Sequence, residues 1–127
     1  MSVTHALAFR TSMASLCNTA IGTSGRLVFR VGGTVDAVGA AAANLALSAN
    51  AGTVANGVLT FGSITADSNC AGNASPVSTA TLQASNGTIV VQGAVTAASG
   101  DFNMSGGLTI GAGDTVSCSA LTYTAPV

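Results

Sequence analysis

The chain has 127 residues, of which only 6% are charged: three arginines, four aspartates, no lysine and no glutamate. A net charge of −1 can neither neutralise a row of phosphates nor hold an anionic lipid surface, which argues against a nucleic-acid or peripheral-membrane role. The longest nearly apolar run, Ala37 to Leu47, is about half of the ~20 residues a membrane helix needs, and the length fits one domain better than two.

The N-terminal stretch MSVTHALAFRTSMASLCNTA has no basic segment followed by a compact apolar run, so no secretion signal is expected. The sequons at Asn73, Asn86 and Asn103 are then expected to stay unmodified. Residues 4 to 21 read as the one helix, with Ala6, Phe9, Met13, Leu16 and Ala20 at three-four spacing and Cys17 beside them. This stripe is expected to face the core, Thr4 to act as N-cap, and Gly22 with Gly25 to stop the helix. The opposite side carries Thr11, Ser12, Ser15, Asn18 and Thr19, hydroxyl and amide groups in place of Lys and Glu.

From Arg26 onward the pattern is β. RLVFRV at Arg26 to Val31 alternates and is closed by Gly32-Gly33; Asn44 to Ser48 places Leu45 and Leu47 together; Val58 to Ile64 follows the Asn-Gly at Asn56. Ala66 to Pro76 is a loop by its Asp, Ser, Asn, Gly and Pro content. ATLQASNGTIVVQG, Ala80 to Gly93, is the strongest hairpin signal, since Asn86-Gly87 suits a type I′ turn. That register pairs Ala84 with Ile89 and Leu82 with Val91 and puts all four in the core. Thr81, Gln83, Ser85, Thr88, Val90 and Gln92 then form an uncharged outer face. Short strands are expected around Phe102 with Met104, around Leu108 with Ile110, and over Thr115 to Thr124, with a bulge or two-sided burial in the last. The predicted fold is mainly β, an antiparallel sandwich or barrel-like domain with one N-terminal α-helix, the strands lying between about 26 and 124.

Catalytic parts are missing. Without lysine there is neither a P-loop nor a Schiff base, and four scattered aspartates make no obvious carboxylate pair. His5, the only histidine, has no nucleophile or orienting acid near it in sequence. GAGD at Gly111 to Asp114 resembles the anion hole of ribokinase-type sugar kinases, but it precedes strand-like Thr115-Val116-Ser117-Cys118 and not a helix, so it reads as a turn. Cys17, Cys70 and Cys118 have no metal-ligand spacing and read as free thiols, with a Cys70 to Cys118 disulfide as the alternative. No enzyme activity, cofactor, metal or small-molecule substrate is expected.

All three arginines lie in the first 30 residues and all four aspartates after residue 35. This asymmetry predicts helix-to-sheet ion pairing within the domain, with complementary contacts between subunits as the alternative. A surface of Thr, Ser, Gln, Asn and small apolar residues costs little to desolvate, so much of it is expected to be covered by protein neighbours. The contact candidates are Thr81, Gln83, Ser85, Thr88, Val90 and Gln92 on the hairpin and Thr11, Ser15 and Asn18 on the helix.

The layout SGRLVFRVGG, NLALS, NGVLTFGSI and VVQGAVTAASGDFNMSGGLTIGAGDTVSCSALTYTAP resembles small virion structural proteins of tailed bacteriophages. The resemblance is most specific from Gly93 through Asp101, Gly111 and Val116 to Pro126. It implies a decoration or cement protein on the capsid surface of the virion, made in the bacterial cytoplasm, whose partners are the major capsid protein and copies of itself. A tail, neck or fibre component is the alternative within the virion. From another class, a carbohydrate-binding or adhesin module would need exposed rings, and the chain has no tryptophan, one tyrosine and four phenylalanines.

Overall fold

The computed structural model describes residues 3–48 and 52–126 as a mainly β domain with a curled, barrel-like sheet and one N-terminal helix. Helix α1 (Leu7–Ile21) is followed by β1 (Arg26–Gly33), β2 (Val38–Leu47), β3 (Gly52–Ala55), β4 (Val58–Phe61) and β5 (Ile64–Thr65). After a long loop come β6 (Thr79–Gln83), β7 (Ile89–Thr96), β8 (Phe102–Asn103) and β9 (Thr122–Thr124). Six strands form one sheet in the order β5-β2-β1-β6-β7-β8, and β3-β4-β9 form a second. All neighbours are antiparallel except β7 and β8.

Alternation along β1 sends Leu27 and Phe29 to the core, where they meet Leu45, Ala43, Leu82 and Ala80 from the flanking strands. Leu59, Phe61, Val77, Val95, Ile110 and Leu121 complete that core. β2 is longer than its leucines announce, because the alanine-rich run from Val38 pairs with β1 as far as Gly33. Asn56 (φ 52) and Gly57 (φ 77) both adopt the left-handed region between Ala55 and Val58. The type I′ turn of the domain is therefore here, where glycine and asparagine tolerate a conformation that other residues resist.

The Asn86-Gly87 hairpin closes differently. The Gly87 amide donates to the Ala84 carbonyl at 3.0 Å, Ala84 donates to Thr88 at 2.9 Å, and only Gly87 has positive φ. This is a three-residue loop, a type I geometry followed by a left-handed glycine. A bulge between Leu82 and Gln83 restores the expected Leu82–Val91 pair but sets Ile89 opposite Gln83. The expected Ala84–Ile89 pair is thus corrected by one residue.

The loop from 66 to 78 is held by the C-terminal segment. Asp67 exchanges backbone bonds with Val116, Cys70 donates to Asp114, Asn73 to Ile110 and Val77 to Leu108, all between 2.8 and 3.1 Å. Further on, Phe61 donates to Leu121, and β4 pairs with β9. Residues 58–77 and 108–124 thus run as one irregular antiparallel ribbon that ties the two sheets together. The expected final strand is regular only at Thr122–Thr124, and the expected Leu108 and Ile110 strand survives as single bonds within the ribbon. GAGD is a turn, with the Gly111 amide donating to Asp114 Oδ2 at 2.7 Å.

Candidate interaction surface

Helix α1 packs chiefly on β3 and β4, and secondarily on β6 and β7. Its buried residues are Ala14, Cys17 and Ile21, a three-four stripe whose small members let the helix axis come close to the strands. Arg10, Thr11 and Asn18 flank that stripe and are half-buried. Thr11 Oγ1 accepts from the Gly57 amide at 2.9 Å, and Asn18 Nδ2 donates to the Gly52 carbonyl at 3.3 Å. The two side chains therefore serve the β3–β4 turn and edge of their own domain. The helix begins at Leu7 with Ala6 as a cap that makes no side-chain bond, so Thr4 is not the N-cap; Gly22 closes the other end as expected.

The apolar stripe expected to face the core faces outward. Phe9 is 53% and Leu16 69% exposed, Ala6 and Ala20 are also exposed, and only Met13 reaches the core margin. Leu7 and Val3 are exposed as well, Leu7 on the other side of the helix from Phe9 and Leu16, and the His5 ring lies 5.4 Å from that of Phe9. The physical reason for the inversion is specific. The amide and hydroxyl of Asn18 and Thr11 match backbone groups of β3 and the type I′ turn, whereas the bulk of Phe9 and Leu16 would hold the helix away from them.

On the six-stranded sheet, the face away from the core carries a polar network. All three Arg30 guanidinium nitrogens donate: Nε to Thr81 Oγ1 at 3.1 Å, Nη1 to the Gly39 carbonyl at 3.0 Å and Nη2 to Gln83 Oε1 at 2.9 Å. Burial pulls the Arg30 pKa below its usual value. Thr81 and its cross-strand partner Val28 are both fully buried, so Thr81 offers no contact surface. Gln83 and Gln92 are half-buried, Val90 packs against the core, and Ser85, Thr88 and the helical Ser15 are exposed. Of the nine expected contact residues, those three are fully open to a partner.

The charges are not paired as expected. Asp67 accepts from the Asn44 and Asn69 amides, Asp101 from Ala94 and Asp114 from Gly111. Those amides, the Asn44 bond first, hold the Asp67 carboxyl below its ordinary range. The aspartates thus fasten loops, and the expected helix-to-sheet ion pairs do not occur among the described residues.

A cleft of about 610 Å³ opens between the core face of β1 and the C-terminal segment, with Leu27 and Phe29 at its floor and Ser105, Ser117 and Cys118 among its walls. Cys17, Cys70 and Cys118 are free thiols, so the Cys70 to Cys118 disulfide does not form in this structure. Among the described residues no three His, Cys, Asp or Glu side chains gather as metal ligands, and no helix is long and apolar enough to cross a membrane. The chain matches no protein-family model, no curated protein and no solved structure.

Proposed function

We propose that this protein is a structural component of a large protein assembly, and specifically a decoration protein on a bacteriophage capsid. The observation that carries the assembly reading is the outward face of α1, where Phe9 and Leu16 are 53% and 69% exposed while polar Thr11 and Asn18 turn inward. Contiguous exposed apolar surface on a rigid element marks a site of protein contact. The rest of the exterior supports it: with seven ionised side chains in 127 residues, the surface loses little hydration when a neighbour covers it. The capsid assignment rests on the resemblance of the Gly93–Pro126 block to small virion proteins.

The mechanism is mechanical. Copies bridging shell subunits add buried area that must be lost before the shell opens, and no bond is made or broken. A single exposed ring, Phe9, offers too little stacking surface for sugar recognition, as Phe29 and Phe61 are in the core. Quantitative mass spectrometry of purified particles tests the reading. A copy number commensurate with the shell protein supports decoration, a small fixed number moves the protein to the tail or neck, and absence from particles overturns the proposal.

A further inference from the structure

The chain contains the dipeptide Asn-Gly twice, at Asn56-Gly57 and Asn86-Gly87, and the fold treats the two copies in opposite ways. An asparagine followed by glycine can react with its own backbone, because glycine has no side chain to keep its nitrogen away from the carboxamide carbon.

Asn86 and Gly87 are both exposed in the β6–β7 loop, and nothing lies within 4 Å of the position a Cβ of Gly87 would take. Asn86 Oδ1 accepts from the Thr88 amide at 3.0 Å, a local turn that folds the carboxamide back along the chain toward the Gly87 nitrogen. Attack by that nitrogen puts negative charge on Oδ1, where the Thr88 N–H already points. The bond that restrains the Gly87 amide, to the Ala84 carbonyl at 3.0 Å, lies inside the same exposed loop and is released by local opening.

At Asn56 the nitrogen is tied down. Gly57 is buried, its amide donates to Thr11 Oγ1 of α1 at 2.9 Å, and its carbonyl accepts from Ala125 at 2.9 Å. Freeing it requires the helix and the C-terminal segment to come away from the turn. Asn73 has the complementary half of the arrangement: its Oδ1 accepts from the Ser75 amide at 2.9 Å, but the next residue is Ala74, whose methyl group hinders the approach. Of the three, Asn86 alone combines an accessible glycine nitrogen with a carboxamide held by its oxygen.

We infer that Asn86 is a site of spontaneous covalent modification, converting to aspartate and isoaspartate while Asn56 is protected by the fold. The Gly87 nitrogen bonds to Asn86 Cγ, the Cγ–Nδ2 bond breaks, and Nδ2 leaves as ammonia with the amide proton, closing a cyclic imide. Water, the one co-reactant, then opens the ring. Opening at Cγ gives aspartate, which keeps an acceptor for Thr88; opening at the backbone carbonyl gives isoaspartate, which routes the main chain through Cβ and Cγ and lengthens the loop. Either product adds a negative charge between Ser85 and Thr88, two of the exposed hairpin residues. The inference does not rest on the proposed assembly role.

Incubation of the purified full chain at mildly alkaline pH, followed by position-resolved peptide mass spectrometry and chromatographic separation of the isoaspartyl peptide, tests it. Asn86 is expected to convert at least about tenfold faster than Asn56, since a loop opens far more often than a packed turn. In urea strong enough to unfold the chain, the two rates should come within a few-fold of each other. Thr11→Val, which removes the acceptor of the Gly57 amide, should speed conversion at Asn56 and leave Asn86 unchanged. An Asn86 that converts no faster than Asn56 in the folded chain overturns the inference, as does a rate ratio that persists in urea, which would trace the difference to flanking sequence and not to the fold.

Discussion

Ile89 stands opposite Gln83 across the β6–β7 hairpin, and the bulge that puts it there presses Val90 as well as Val91 against the core. A two-residue turn would have placed Ile89 inside and Val90 outside, so the bulge reverses their expected sensitivity. Val90→Asp is expected to destabilise the domain by at least about 2 kcal/mol, since it puts an unpaired charge against the core. Ile89→Asp should cost less, since Ile89, although half-buried like Val90, does not pack against the core. Urea unfolding of the two variants checks the order.

Thr81 is fully buried, and its hydroxyl accepts from Arg30 while donating to Gln83 at 3.3 Å. Thr81→Val keeps the shape and removes both bonds, leaving Arg30 Nε without its acceptor. The expected loss is about 1–3 kcal/mol, with Thr81→Ser recovering most of it. Denaturant midpoints at equal slope would show this; an unchanged midpoint for Thr81→Val would mean that water replaces the hydroxyl.

Burial pushes the Cys17 thiol from 9.0 up to about 11. The folded state therefore keeps its proton where the unfolded chain has released it, so this contribution is intact below pH 9 and disappears as pH rises to about 11. The expected decline is about 2–3 kcal/mol across that window. Cys17→Ala should flatten this part of the stability curve, and unfolding measured at several alkaline pH values reads it directly.

Gly72 has φ +73, and a Cβ there would run into the Ala112 amide nitrogen of the GAGD turn. Gly87 has φ +90 with open space around it. Gly87→Ala should lose only the conformational cost, about 1 kcal/mol, whereas Gly72→Ala adds a backbone collision and should lose at least about twice that. Hydrogen exchange should show the extra damage at the Asn73 and Val77 amides, which the ribbon protects.

The parts of the fold legible in the sequence were those set by short-range alternation. Leu27 and Phe29, Leu45 and Leu47, and Leu82 with Val91 sit as their period-2 spacing requires. The type I′ turn was legible as a dipeptide but not as a choice between Asn56-Gly57 and Asn86-Gly87, because the register shift that leaves Val90 unpaired opposite the Leu82/Gln83 step goes with the longer loop at the second site. The helix orientation was hidden for a different reason. Counting apolar residues favours Phe9 and Leu16, but the strands select Ala14 and Cys17 for their small size, and Thr11 and Asn18 for the backbone groups they satisfy. The Arg30 network joins residues about fifty positions apart, and no local pattern announces it.

The ribbon between residues 58–77 and 108–124 has a kinetic consequence. Neither strip has a regular ladder of its own through residues 66–78 and 104–121, so each waits for the other across a long stretch of chain, and such distant pairings form slowly. A nascent polypeptide emerging from the ribosome can complete the β1–β2 and β6–β7 hairpins early, yet it stays unlatched until residues 108–124 have emerged as well.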